Sequence, residues 1–275
     1  MNLTHGSLFS GIGMMDYGLE LAGWKTVWQV ENNEYCQALL REHWPVTQKF
    51  SDVRSCGRHN LEPVTLISGG FPCQNISEAG KLEGLGTPDS PTDRSGLWFH
   101  FRRIIHELRP AWVLVENVVR LMLRDDGDTV LADLEAEGYE RVPLVVGASD
   151  CGAPHKRQRV FVLAHRHDPD SDYVPAPGVE AARLFPTQIR EIAEAQRRWA
   201  RAKHELGTRT CGEGGDSESC ARTYHGIVRR FFGNSTWLEQ THALGNTIVP
   251  VIPCLIGGYV AAAEKEMESR NLSPR

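Results

Sequence analysis

Short apolar runs alternate with helix-patterned stretches from Leu3 to His165, and this alternation constrains the fold more than any other feature of the chain. Leu3 to Phe9 reads as a strand entering the turn Ser10-Gly11-Ile12-Gly13. Met14, Met15, Tyr17, Leu19 and Leu21 then follow at helical spacing, up to Gly23. Lys25 to Val30 alternates as a strand does, Asn33 to His43 reads as a short helix, and Asp52 falls on a turn. The run Val64 to Ser68 predicts a buried strand. Leu97, Trp98, Phe101, Ile104, Ile105 and Leu108 form an apolar helical stripe that Pro110 stops. A strand from Ala111 to Val115, a helix from Thr129 to Glu137, and strands at Val142–Val146 and Arg159–Ala164 complete the series. Strands alternating with helices imply an α/β fold whose sheet is mainly parallel and covered on both faces.

In such a sheet, ligands gather outside the carboxyl ends of the strands. Those ends carry the reactive residues of this chain. Gly69-Gly70-Phe71-Pro72-Cys73-Gln74-Asn75 leaves the Val64 strand, where two glycines allow a sharp turn and Pro72 fixes the backbone ahead of Cys73. A free cysteine is most often a small buried hydrophobe. A thiol on a Gly- and Pro-flanked loop at a sheet rim is instead a candidate nucleophile. Glu116, in Glu116-Asn117-Val118, ends the next strand. At the first turn, Gly11 and Gly13 let backbone amides face a cofactor. Glu31 lies about 20 residues on, where dinucleotide-binding folds place a ribose-binding acid. Position 16, where a third glycine would belong, is Asp. A pyrophosphate is thereby disfavoured, and a nucleoside without phosphate, such as S-adenosylmethionine, fits better.

Seven cysteines without a C-x-x-C pair argue against both a zinc site and a disulfide framework. The N-terminus has no basic segment leading into an apolar one, and no stretch reaches the length of a membrane span. A reducing cytoplasm and no membrane partner are therefore expected. The net charge of −5 argues against nucleic-acid binding, yet thirteen Arg and Lys side chains between Arg157 and Arg230 crowd one stretch. That stretch is either a phosphate-binding face or a solvated helix surface. After His165 the alternation stops. A linker-like segment follows, then a charged helix at 187–206, a Gly/Ser/Glu-rich piece from Cys211 to Cys220, and a last apolar segment from Leu244 through a helix to Ala263.

Taken in order, Phe9-Ser10-Gly11-Ile12-Gly13, Glu31, Asp52, Gly70-Phe71-Pro72-Cys73-Gln74, Glu116-Asn117-Val118, Gly152 to Arg159 and Gly245-Asn246-Thr247 resemble the DNA cytosine-5 methyltransferase family, in a compact phage or restriction-modification form. The resemblance implies a Rossmann-like, S-adenosylmethionine-dependent catalytic domain over 1–167. It further implies a small target-recognition region over 168–240, and a segment over 241–275 whose helix returns beside the first strand unit. By the same resemblance, Cys73 adds to carbon 6 of cytosine and makes carbon 5 nucleophilic. Glu116 donates toward ring nitrogen 3, and Arg157 and Arg159 steady the cytosine carbonyl and the loop. Phe9, Gly11, Gly13, Glu31, Asp52, Pro72, Leu97 and Asn246 would hold the cofactor. Gln74, Ser77 and Lys81 would meet double-stranded DNA, from which the target base is flipped. A monomer is expected. Met14 stands where a further glycine is frequent in the family, and His155 where glutamine is usual.

Three other readings are open to the sequence. A transfer-RNA cytosine methyltransferase would carry a Cys-Phe-Thr tripeptide, which is absent here. A catalytically silent relative would lack the pair Cys73 and Glu116. A nicotinamide-dependent oxidoreductase would need the third glycine.

Overall fold

Seven strands are formed among the described residues of the computed structural model, which are 3–72, 84–87, 95–151, 157–166, 248 and 250–271. They are β1 (Thr4–Leu8), β2 (Lys25–Val30), β3 (Gln48–Phe50), β4 (Leu66–Gly69), β5 (Trp112–Val118), β6 (Tyr139–Gly147) and β7 (Gln158–Arg166). One sheet takes them in the order β3-β2-β1-β4-β5-β7-β6. The pairings from β3 through to β5 are all parallel. Strand β7 runs antiparallel to both β5 and β6. The mainly parallel sheet expected from the sequence therefore has an antiparallel border on one side. The chain builds outward from β1 to β3, then crosses back to lay β4 on the other flank of β1. That reversal is a topological switch point, and the crevice above it is where an open α/β sheet receives its ligand.

The helices are α1 (Met14–Leu21), α2 (Glu34–His43), α3 (Trp98–Leu108), α4 (Asp125–Ala136) and α5 (Val251–Asn271). Local chemistry sets their ends. The side chain of Asn33 caps α2 by accepting from the Cys36 amide at 3.0 Å. Arg109, in the left-handed conformation, closes α3 just ahead of Pro110. Helix α4 begins at Asp125, four residues before the expected start at Thr129. Asp125, Asp126 and Asp128 occupy its first turn, where negative charge complements the helix dipole.

Alternation along the strands sorts the core into two layers. Trp112 and Leu114 face α1 and α5 together with Leu19, Trp24, Leu66, Ile252 and Ile256. Val113 and Val115 face α3 and α4 with Trp28, Ile67, Phe101, Ile104 and Leu134. The return of the last helix to the first strand unit is as expected from the sequence, although α5 continues past Ala263 to Asn271. Two indoles fasten it. Trp24 donates to the Gly257 carbonyl at 2.9 Å, and Trp112 donates to Glu264 at 2.7 Å.

Gly18 makes the close approach of α1 and α5 possible. A Cβ at this position would lie 2.2 Å from the Pro250 carbonyl oxygen and 2.6 Å from the Pro253 ring. Gly18→Val is therefore expected to lower unfolding stability by about 1–3 kcal/mol through overpacking, as measured by urea denaturation. Substitution at Gly258, where a Cβ meets nothing within 4 Å, should leave the packing between the two helices intact.

Candidate active site

Strands β1 and β2 end side by side, and the turn leaving β1 is backbone-strained. Phe9 adopts φ +55°, a left-handed conformation that a bulky residue rarely takes. Such outliers concentrate at functional sites, where the surrounding structure holds them. The Ser10 amide donates to Val30 O at 3.1 Å, and the Gly13 amide closes the turn on Ser10 O at 2.9 Å. The two glycines of the turn do different work. Gly11, at φ +55°, has nothing within 4 Å of a built Cβ and so opens onto free space. At Gly13, φ +81°, a Cβ would collide with Trp44 at 2.4 Å. Gly13 therefore seats α1 against α2.

Glu31 reaches back across the turn. Its two carboxylate oxygens accept the Gly11 amide at 2.7 Å and the Asn33 amide at 2.8 Å. Burial pushes the Glu31 carboxyl above the usual carboxylate range, and the neighbouring backbone amides oppose that shift. A carboxylate has about four acceptor sites, so Glu31 keeps capacity for hydroxyl donors. The open face at Gly11, the half-buried Phe9 ring and this acid together fit a nucleoside-bearing methyl donor. Asp52 lies just beyond β3. It caps a short 3-10 turn by accepting the Arg54 amide at 2.9 Å, and its ion pair with Arg54 at 3.0 Å is exposed. The Arg54 hydrogen bonds hold its carboxyl below the usual range.

The second half of the site grows from β4 and β5. Gly69 pairs with Val115 in the ladder, so Gly70 passes directly beside Glu116. A Cβ on Gly70 would stand 2.6 Å from Glu116 Oε2. A side chain there would have to displace that carboxyl from its present position. Asn117, fully buried, donates to the Phe71 carbonyl at 3.1 Å and so pins the segment that leaves β4. An aromatic row runs beneath: Phe71 to Trp98 and Trp98 to Phe101 are each 5.6 Å between ring centroids, and Phe101 to Phe9 is 6.2 Å. These separations suit tilted aromatic pairs. The row links the exits of β1 and β4 through α3. Leu97 and Pro72 are both half-buried along this rim.

Arg159 comes from the antiparallel border. It is the ladder partner of Val118, and its Nε meets Glu116 Oε1 at 3.1 Å. Burial raises the Glu116 carboxyl above its ordinary range, while the charges of Arg159 and Arg157 pull it down; burial prevails. The Glu116 carboxyl therefore holds its proton more tightly than a free carboxyl. Cys36 and Cys56, by contrast, are core thiols that burial pushes up to about 12 and about 11, with nearby Glu31 and Asp52 adding to the shift. Neither suits a nucleophile at neutral pH.

Of the residues singled out in the sequence, the structure gathers Phe9, Gly11 and Glu31 on one side of the switch point. It brings Pro72, Glu116, Arg157 and Arg159 to the other side, while Asp52 stands at the outer edge. Cys73, Gln74, Ser77, Lys81 and Asn246 lie outside the described residues, as does most of the basic stretch. Sequence reasoning gave no role to Asn117 or Asp16, and it read Gly70 only as part of a sharp turn, not as the neighbour of Glu116. Asp16 carried a legible signal, because an acid interrupts the face formed by Ile12, Met15 and Leu19.

The family profile described as C-5 cytosine-specific DNA methylase matches residues 3–225. The type II methyltransferase M.HgiDI of Herpetosiphon aurantiacus is 37% identical over 173 residues, covering 60% of this chain and 53% of that protein. M.HaeII of Haemophilus aegyptius is 34% identical over 159 residues, covering 57% and 48%. The chain thus spans about half the length of the curated relatives it matches. Among solved structures, a protein assigned as a DNA modification methyltransferase encoded within an E. coli prophage superposes with a TM-score of 0.50 at 28% identity. That superposition covers 60% of this chain and 47% of the other.

The Glu116–Arg159 pair generates a test by pH. A carboxyl whose folded pKa is raised holds its proton more tightly folded than unfolded. Its stabilising contribution is therefore full below the unfolded value near 4.5 and is lost as pH rises through the folded value. Arg159→Met removes the opposing cation and drives the carboxyl further up. The variant should lose about 1–3 kcal/mol above that window and much less below it, read from urea unfolding across a pH series.

Proposed function

The chain belongs to the C-5 cytosine-specific DNA methylase family, and on that premise we propose that it transfers a methyl group from S-adenosylmethionine to carbon 5 of cytosine in double-stranded DNA. The observation that supports this most is the buried Glu116–Arg159 pair directly beside Gly70, three residues ahead of Cys73 in the chain. Cytosine carbon 5 is too electron-poor to take a methyl group unaided. The Cys73 thiolate adds at carbon 6 and places an electron pair on carbon 5. Negative charge then builds toward ring nitrogen 3, where the protonated Glu116 donates. Arg159 holds Glu116 in place, and its charge limits how far burial raises the acid. Arg157 adds a second positive charge beside the same group.

S-adenosylmethionine, when bound, supplies an electrophilic methyl group. The Phe9 ring packs on its adenine, the Gly11 backbone faces its methionine end, and Glu31 takes the ribose hydroxyls. Pro72, Leu97 and Asn246 close the pocket, and Asp52 accepts from the adenine amino group. The target base leaves the duplex at a cost of a few kcal/mol, with Gln74, Ser77 and Lys81 on the DNA. Loss of the carbon 5 proton expels Cys73 and frees the enzyme. We assign target reading to the small region over 168–240, action as a monomer in the cytoplasm, and a place in a restriction-modification system.

Labelled S-adenosylmethionine offered with unmodified duplex DNA, and in parallel with structured RNA, tests this reading. Label is expected in DNA as 5-methylcytosine, absent with Cys73→Ala, and slowed by about 10²–10⁴-fold with Glu116→Gln. Label in RNA alone would point to a transfer-RNA substrate. Methylation that survives Cys73→Ala would overturn the covalent mechanism.

A further inference from the structure

Beneath the Phe9–Gly13 turn lies a carboxylate that the chemistry above does not use. Asp16 sits on the first turn of α1 and is fully buried. It shares a helix face with Ile12, Met15 and Leu19, where an apolar side chain would pack without the cost of hiding an acid. Its Oδ2 accepts the Ser7 hydroxyl at 3.0 Å, and its Oδ1 accepts the Gln29 amide nitrogen at 2.9 Å. Ser7 and Gln29 are directly opposed in the β1–β2 ladder. Each stands two residues ahead of a rim residue, Ser7 before Phe9 and Gln29 before Glu31. One carboxylate thus ties the start of α1 to both strands just below the points where they deliver the turn and the acid.

The tie is also selective. Gln29 Oε1 is buried and has no hydrogen-bond partner among the described residues. The Gln29 amide is therefore aimed by Asp16 and not by competing contacts. Above the turn, Glu31 accepts the Gly11 and Asn33 amides. The turn is held between two carboxylates, Asp16 underneath and Glu31 on top. Burial raises the Asp16 carboxyl to about 6, against the pull of Gln29 and Ser7.

We propose that Asp16 is a positioning residue for the cofactor turn, setting Gly11 against Glu31 through its bonds to Ser7 and Gln29. The inference rests on the methyl-donor reading of that turn. Its test uses the full chain, with titration calorimetry of S-adenosylhomocysteine and amide hydrogen exchange at Gly11 and Asn33. Asp16→Ala should weaken binding at least tenfold and speed exchange at both amides. Leu134→Ala, on α4 in the opposite layer, is the control for lost stability and should change neither beyond threefold. Asp16→Asn can accept from one partner and donate to Gln29 Oε1, and it should restore binding to within threefold of the parent. Should Asp16→Ala fail to fold, Ser7→Ala removes one arm of the tie without opening a large cavity and should weaken binding at least threefold. The proposal is overturned if Gly11 and Asn33 exchange alike in the parent and the variants, or if Leu134→Ala weakens binding as much as Asp16→Ala. A parent protein that binds no S-adenosylhomocysteine would sink the methyl-donor reading, while the exchange data would still decide whether Asp16 holds the turn.

Discussion

A carboxyl group buried at the end of β5 and faced by a guanidinium from β7 is the interaction on which the rest of the site depends. Burial raises the Glu116 carboxyl, and the Arg159 and Arg157 charges oppose that rise. That contact exists only because β7 runs antiparallel to β5, which sets Arg159 opposite Val118. A seventh strand laid parallel would need a crossover and would present its other end to this rim. The antiparallel border is thus a requirement of the Glu116–Arg159 contact as much as an ornament of the sheet. Gly70 suits the same arrangement, because a Cβ there would crowd the carboxyl at 2.6 Å and shift it.

The cofactor side obeys a different logic. The turn and its acid lie close together in sequence, from Ser7 to Glu31, and short-range hydrogen bonds fix them. Phe9 and Gly11 both take left-handed backbone conformations. Glycine does so freely, whereas phenylalanine must be held there. The hold comes from the buried hydrogen bonds under the turn and from the aromatic row that begins with Phe9. Low effective dielectric strengthens such a network when its members are paired, and penalises any that are not.

This division explains what could be read from the sequence. β2, α2, α3 and β5 were legible because each carries its own period or cap: the alternation from Lys25 to Val30, the Asn33 cap, the stripe ending at Leu108. β3 was not legible, since Gln48–Phe50 is three residues long and its stability comes from pairing with β2. The start of α4 was hidden by Asp125, Asp126, Gly127 and Asp128, which read as a turn until the helix dipole is counted. The motif residues at strand ends were legible as candidates, but their partners were not. Arg159 meets Glu116 through a ladder that no local pattern encodes, and Asn117 reaches the Phe71 carbonyl at the exit of the neighbouring strand. Cys73, the proposed nucleophile, and the helix read at 187–206 lie outside the described residues.

The two halves of the site also differ in how they respond to a lost bond. On the cofactor side, Asp16 bridges two neighbouring strands, so its failure displaces the turn while the sheet persists through its backbone ladder. On the target side, Glu116, Gly70, Asn117 and Phe71 share one packed junction with Trp98 beneath it. A change to any of them is felt by the others, because packed neighbours do not act additively. The turn side of the site can therefore shift through single substitutions. The target-side junction tolerates few of them, since the same atoms that place the acid also hold the chain that leads to Cys73.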